Sequence, residues 1–237
     1  LIWHWNAPKD LVDSAGQPWW RGFYAEATTF DLDAALNGRD PAGYRLILRD
    51  LDAIAEALKP LAAADVPVLW RPLHEASGGW FWWGAYGPDN YIALWRLMYE
   101  RFTLTHALDN LLWVYNGQDA AWYPGDAYVD LIGEDVYTAP RDYESHYNRF
   151  ERALSYTDAP KIIGLSENGA IPDPELLAAD NARWSFFITW CERYAVDTES
   201  GAISDVYNDL AHWKKVYEDE AVVTLDELPR RAFYLSG

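Results

Sequence analysis

Val68-Leu69-Trp70-Arg71-Pro72-Leu73-His74-Glu75 runs directly into Ala76-Ser77-Gly78-Gly79-Trp80-Phe81-Trp82-Trp83-Gly84. Pro67 introduces the stretch, and residues 68–73 read as a short apolar strand. It ends in a His-Glu pair and opens into a glycine turn loaded with rings. Such a strand delivers a carboxylate at its C-terminal tip, beside flat apolar faces. The rest of the chain can be read as scaffold and partners for Glu75.

Working outward, residues 1–5 (Leu-Ile-Trp-His-Trp) form an apolar run stopped by Asn6-Ala7-Pro8. Leu46, Ile47, Leu51, Ile54, Leu58 and Leu61 recur at helical spacing over 42–64, with Pro60 expected to kink or stop the helix. Asp89 is the expected N-cap of a helix carrying Ile92, Trp95, Met98, Tyr99 and Phe102 on one side. Further strands are expected at 110–116, 129–136, 161–166 and 185–190. Helices are expected near 143–154, 174–181 and 204–217, the last with Val206, Leu210, Trp213 and Tyr217 near one face. Strands without strict alternation, separated by helices, imply a parallel sheet buried on both faces. Polar and aromatic residues gather just after the strands, at the rim where (β/α)8 barrels place their sites. The defect of a barrel reading is the count, six strands instead of eight.

Composition narrows the partners. The chain has 237 residues, 50% hydrophobic, enough for one substantial core. A net charge of -18 argues against nucleic acid or an anionic membrane surface. No apolar run reaches the ~18 residues of a membrane-spanning helix. Cys191 is the only cysteine, so no intrachain disulfide and no cysteine-based zinc site can form. Fourteen Trp exceed the needs of a core; Trp and the sixteen Tyr stack on the apolar faces of pyranoses, so exposed rings point to carbohydrate, while many of them are expected to be ordinary core.

Two glutamates close strands, Glu75 and Glu167 of Ser166-Glu167-Asn168-Gly169. Retaining glycoside hydrolysis needs such a pair, about 5–5.5 Å apart. One protonates the leaving oxygen and later activates water. The other attacks the anomeric carbon. The acid must hold its proton near neutral pH, which burial among Trp80, Trp82 and Trp83 would favour, while the nucleophile must stay ionised. The alternative is that each glutamate is a solvated loop charge or an ion-pair partner. No His-Glu-x-x-His spacing and no Gly-x-Ser-x-Gly elbow supports a metal or serine hydrolase.

The 70–84 stretch and Ser166-Glu167-Asn168-Gly169 resemble glycoside hydrolase family 26. Supporting fragments run in family order: Trp3-His4-Trp5-Asn6-Ala7-Pro8, Trp19-Trp20-Arg21-Gly22-Phe23-Tyr24, Trp113-Val114-Tyr115, Gly133-Glu134-Asp135-Val136-Tyr137 and Thr189-Trp190. The resemblance implies an α/β fold, a (β/α)8 TIM barrel, with acid/base after the fourth strand and nucleophile after the seventh. It implies Glu75 as acid/base and Glu167 as nucleophile. It further implies His4, His74, Trp80, Tyr137 and Trp190 as substrate-binding residues, with Trp80 as a stacking platform and Tyr137 bonding the nucleophile. Arg71 is expected in the shell under the carboxylates. Trp82, Trp83, Trp20 and Phe23 are expected to pack more than to touch substrate.

Two departures stand out. The family pattern often has Met-Asn where this chain has Ala76-Ser77, which removes an amide near the acid/base. If Glu75 follows strand four, the strand at Leu1 is strand three, and the chain is one barrel domain over 1–237, incomplete at its N-terminus, with about strands 3 to 8. Two unpaired edges would then favour aggregation, and roughly 80–100 upstream residues would add stability. The implied activity is a retaining endo-β-1,4-mannanase acting on mannan or galactomannan without cofactor or metal, secreted or at the cell surface, as a monomer. The alternatives are a β-1,3-xylanase or mixed-linkage β-glucanase of the same family, or a catalytically weak chain that only binds glycan.

Overall fold

A computed structural model describes residues 1–12 and 18–228. Its strands are β1 (Ile2–Trp3), β2 (Val68–Pro72), β3 (Leu111–Tyr115), β4 (Leu131–Val136), β5 (Ile162–Asn168) and β6 (Phe187–Thr189). Its α-helices are α1 (Leu32–Leu36), α2 (Pro41–Ala63), α3 (Gly87–Glu100), α4 (Tyr147–Leu154), α5 (Pro174–Asp180) and α6 (Leu210–Tyr217). The strands follow sequence order in the sheet, β1-β2-β3-β4-β5-β6. The pairs β1–β2, β2–β3, β3–β4 and β5–β6 are parallel; an α-helix lies between successive strands except β3 and β4, which two short 3-10 turns (Ala120–Trp122 and Asp126–Tyr128) separate. Parallel strands joined through helices are the repeating unit of a (β/α) barrel.

The chain packs as two compact units, Leu1–Ile132 with Tyr156–Lys161, and Gly133–Ser155 with Ile162–Gly237. In the first, β2 is in register with β1 (Ile2 beside Arg71) and with β3 (Val68 beside Leu111), and β3 with the start of β4 (Val114 beside Leu131). Helix α2 starts where Asp40 accepts the Gly43 N–H at 2.9 Å and Pro41 supplies the preset φ of a first turn. It buries Ile47, Leu51, Ala55 and Leu58, one stripe at helical spacing, each large side chain contributing about 1.5–3 kcal/mol. Pro60 neither stops nor ends it. The residue lies inside the last turn, and the helix runs on to Ala63. Asp65 is left-handed (φ 51), with Asp65 N–H bonded to Ala62 and Val66 N–H to Leu61.

Helix α3 begins two residues before Asp89, which therefore lies in the first turn instead of capping it. Its buried face is Tyr91, Leu94, Trp95 and Met98, continued by Phe102 in a π-turn (Arg101–Thr105). Ile92 and Tyr99, expected on that face, flank it and are only half-buried.

In the second unit β5 pairs with β6, Leu165 beside Phe187 and Asn168 beside Thr189. Three steps on β5 match two on β6, so an extra residue falls in the Ser166-Glu167 segment. Such a bulge bends a strand and re-aims its side chains. The last helix is much shorter than expected. Asp209 caps it by accepting the His212 N–H at 2.9 Å, and Val206 lies outside it. Helix α4 likewise begins at Tyr147, after a left-handed His146.

Candidate active site

Glu75 sits just past β2 in a left-handed conformation (φ 50, ψ 32), as does Leu73 (φ 50). Non-glycine residues in this region cost about 1–3 kcal/mol each and persist only where their surroundings enforce it. The enforcement comes from β3. Glu75 N–H donates to Asn116 O at 2.7 Å and lies 3.2 Å from Asn116 Oδ1, which also accepts from the buried Arg71 guanidinium at 2.8 Å. Ser77 N–H donates to Gly117 O at 3.2 Å. Buried Trp83 clamps the other side, its indole N–H donating to His74 O at 2.9 Å.

The aromatic turn is tied to residues 23–25. Ala25 N–H donates to Trp80 O and Trp82 N–H to Phe23 O, while Tyr24 bridges Phe81. Trp80 remains 46% exposed and donates its indole N–H to Glu75 Oε2 at 3.2 Å. Its ring folds over Gly78 so closely that a Cβ there would lie 1.9 Å from it. His74 is buried edge-on to His4 (4.9 Å between rings) and beside Phe81 (4.7 Å). Burial, then the Arg71 charge and His4, hold its imidazole well below the ordinary histidine range. A neutral ring is what such a site contains at working pH. His4 stacks on Phe23 at 4.8 Å.

Glu167, only 6% exposed, lies inside β5 at the bulge. Tyr137, one residue past β4, donates its hydroxyl to Glu167 Oε2 at 2.7 Å. A carboxylate oxygen of the buried Asp135 lies within 4.8 Å of one of Glu167. Asp135 itself accepts from Ser166 Oγ at 2.6 Å. A nearby like charge favours protonation, whereas a phenolic donor favours the ionised form. Glu134, on the opposite face of β4, is paired with Arg152. Asn168 Nδ2 donates to Ala170 O and Thr189 Oγ1, and Asn168 O accepts from Trp190 N–H at 3.0 Å. Trp190 thus follows directly after β6, with its indole partly exposed.

The residues expected at the site fall into two groups. His4, His74, Glu75 and Trp80 gather in the first unit; Tyr137, Glu167 and Trp190 in the second. Trp82, Trp83 and Phe23 are core, as expected, but Trp20 is 43% exposed and packs only its edge against Tyr24. Asn116, Asp135 and Ser166 were not singled out from sequence. Each occurs at or next to a strand end within a quoted fragment or strand, and that position was the available signal.

The chain matches the description glycosyl hydrolase family 26 over residues 1–227. It is 45% identical over 227 residues to a mannan endo-1,4-beta-mannosidase of Thermothelomyces thermophilus, covering 96% of this chain and 45% of that protein. It thus spans about half the length of that curated relative. Among solved structures, a Podospora anserina GH26-CBM35 β-(1,4)-mannanase superposes with a TM-score of 0.86 at 44% identity, covering 95% of this chain and 49% of that one. A β-mannanase from a symbiotic protist of the termite Reticulitermes speratus, solved with a gluco-manno-oligosaccharide, gives 0.80 at 38% identity, covering 96% and 67%. With a family match across nearly its whole length and relatives at this identity, the chain belongs to glycosyl hydrolase family 26.

Proposed function

We propose that this chain carries the catalytic machinery of a retaining endo-β-1,4-mannanase acting on mannan or galactomannan. The observation that carries the reading is a pair of strand-end glutamates in contrasting settings, Glu75 against the Trp80 indole and Glu167 under the Tyr137 hydroxyl. The names of the relatives supply the substrate class. Glu75 acts first as acid, protonating the departing glycosidic oxygen. Glu167 attacks the anomeric carbon, and the Tyr137 hydrogen bond favours its ionised form. Glu75 then takes a proton from water, which displaces Glu167 and restores the β-configuration. Trp80 offers its exposed face to a sugar ring; His4, His74 and Trp190 contact the substrate near the cleavage point. The reaction needs no metal or cofactor.

In this reading β1–β6 are strands three to eight of a (β/α)8 barrel forming one catalytic domain, which works as a monomer, secreted or at the cell surface. No helix among the described residues is long and apolar enough to cross a membrane. The test is product stereochemistry. Proton NMR early in mannohexaose hydrolysis is expected to show the β-anomer first; an α-product first contradicts the mechanism. Initial rates on galactomannan, β-1,3-xylan and barley glucan are expected to favour galactomannan.

A further inference from the structure

Asn208 is fully buried (0% exposed) just before α6. Its amide is spent on other segments of the chain. Nδ2 donates to Gly169 O at 2.9 Å and to Tyr194 O at 3.0 Å, and Oδ1 accepts from Ile171 N–H at 2.7 Å. The first and third partners belong to the turn that leaves β5 immediately after Glu167-Asn168. The second belongs to the short turn after β6 (Glu192–Tyr194). Neither turn can shift without stranding a buried polar group, at about 1–3 kcal/mol.

The same region is packed tightly. A Cβ on Gly169 would lie 3.1 Å from two atoms of the Tyr194 ring and 3.3 Å from Tyr207, so glycine lets these rings close on the strand end. Tyr207 lies 4.4 Å from Tyr194, and the Arg193 guanidinium sits 5.1 Å over the Tyr194 ring. Tyr194 meets Tyr137 edge-on at 5.3 Å. Tyr137 is the residue that donates to Glu167.

We propose that Asn208 is a positioning residue for Glu167. It fixes the Gly169 turn and the Tyr194 backbone, so that the Tyr194 ring holds the Tyr137 hydroxyl against the carboxylate. Asn208 touches no reacting atom. A loop staple of purely structural value could make the same three bonds. The distinguishing feature is the line of contacts from Asn208 through Tyr194 and Tyr137, which ends on a carboxylate whose ionisation the reaction requires. The inference rests on Glu167 being the nucleophile.

The test uses two variants of the full chain. Asn208→Asp keeps the acceptor but turns a second oxygen toward two carbonyls. Tyr194→Ala removes a half-buried ring and leaves the Asn208 bonds in place. The readout is the pH profile of kcat/KM on an aryl β-mannoside, with folded fraction followed by circular dichroism. Both variants, like Tyr137→Phe, are expected to move the acidic limb upward by about 0.5 pH unit or more, because the ionised nucleophile loses its donor. kcat is expected to fall about 10-fold with KM within about 3-fold. Adding Asn208→Asp to Tyr137→Phe is expected to change little further, since both act on one hydrogen bond. An acidic limb unmoved in both variants, with rate loss matching lost folded fraction, overturns the proposal. If Asn208→Asp does not fold, the limb of Tyr194→Ala decides alone. Undiminished turnover by Glu167→Ala overturns the nucleophile assignment itself, and is recognised without any Asn208 variant.

Discussion

Glu75 and Glu167 are the same residue type at the ends of two strands, yet they are held differently. Glu75 is fixed through its backbone. Two left-handed residues, Leu73 and Glu75, turn the chain out of β2, and Asn116 and Trp83 bind the main chain there. Its carboxylate is half-exposed and meets an indole N–H. Glu167 lies at a bulge inside β5, almost wholly buried and met by a phenol. Main-chain bonds and left-handed turns place the first group, and a phenolic donor meets the second.

The largest effects break the comparison outright. Glu75→Ala is expected to lose about 10²–10⁴-fold on mannan, the usual worth of acid–base assistance, yet to keep activity on aryl mannosides with good leaving groups, with azide restoring turnover. Glu167→Ala is expected to show no turnover on either substrate under the same conditions. Equal behaviour of the two variants on the aryl substrate would contradict the division of roles.

Next in size are their side-chain partners. Tyr137→Phe removes a hydrogen bond to a charged group, worth about 1.5–3 kcal/mol, or roughly 10–150-fold if expressed fully in kcat. The acidic limb of kcat/KM should move upward with it. Trp80→Ala removes both the exposed ring and the indole N–H that Glu75 accepts, so KM for mannan should rise by up to about 10-fold, roughly the 0.5–1.5 kcal/mol of one aromatic contact, and kcat should fall with it. A Tyr137→Phe effect confined to KM would show that the phenol binds substrate instead of tuning Glu167.

A smaller contrast lies in the two glycines that admit these rings. Gly78→Ala collides with the Trp80 ring, which can swing aside, so KM should rise while the melting temperature changes little. Gly169→Ala presses on Tyr194 and Tyr207, both held by Arg193, and should cost about 1–3 kcal/mol of stability by overpacking. Chemical denaturation of both variants checks this.

The smallest effect is a pH slope. Burial lowers the imidazole of His74, reinforced by Arg71 and His4. Burial also lowers that of His146, but Asp142 and Glu144 oppose the shift. Above about pH 6.5 each ring is neutral in folded and unfolded chains alike. As pH falls below that value the unfolded chain takes up protons that the folded chain refuses. Stability is therefore lost toward acid, at up to about 1.4 kcal/mol per pH unit for each histidine. Urea midpoints at pH 7 and 5.5 should show His74→Gln flattening the slope more than His146→Gln.

Much of this was legible in the residues themselves. The strand positions, the helical stripe of α2 and both strand-end glutamates follow from apolar runs, spacing and strand-end position, because those signals are local. What was not legible depended on distant partners. The left-handed turn at Glu75 is imposed by Asn116 on another strand, and nothing between 68 and 84 announces it. The stretch 204–209 has helical spacing but is not helical, because Asn208 is drawn into bonds with Gly169, Ile171 and Tyr194. Pro60, read as a kink or a stop, stands inside α2, which runs three residues past it to Ala63. Asp135 was visible only as part of a fragment; its proximity to Glu167 is a consequence of strand pairing.

The most direct test of the account is covalent trapping. Incubation with a 2-deoxy-2-fluoro-β-mannosyl fluoride slows the second displacement and lets the glycosyl-enzyme accumulate. Peptide mapping by mass spectrometry is predicted to find one added sugar, on Glu167, with Glu75 unmodified. A label on Glu75, or activity that survives while Glu167 stays unlabelled, would contradict it.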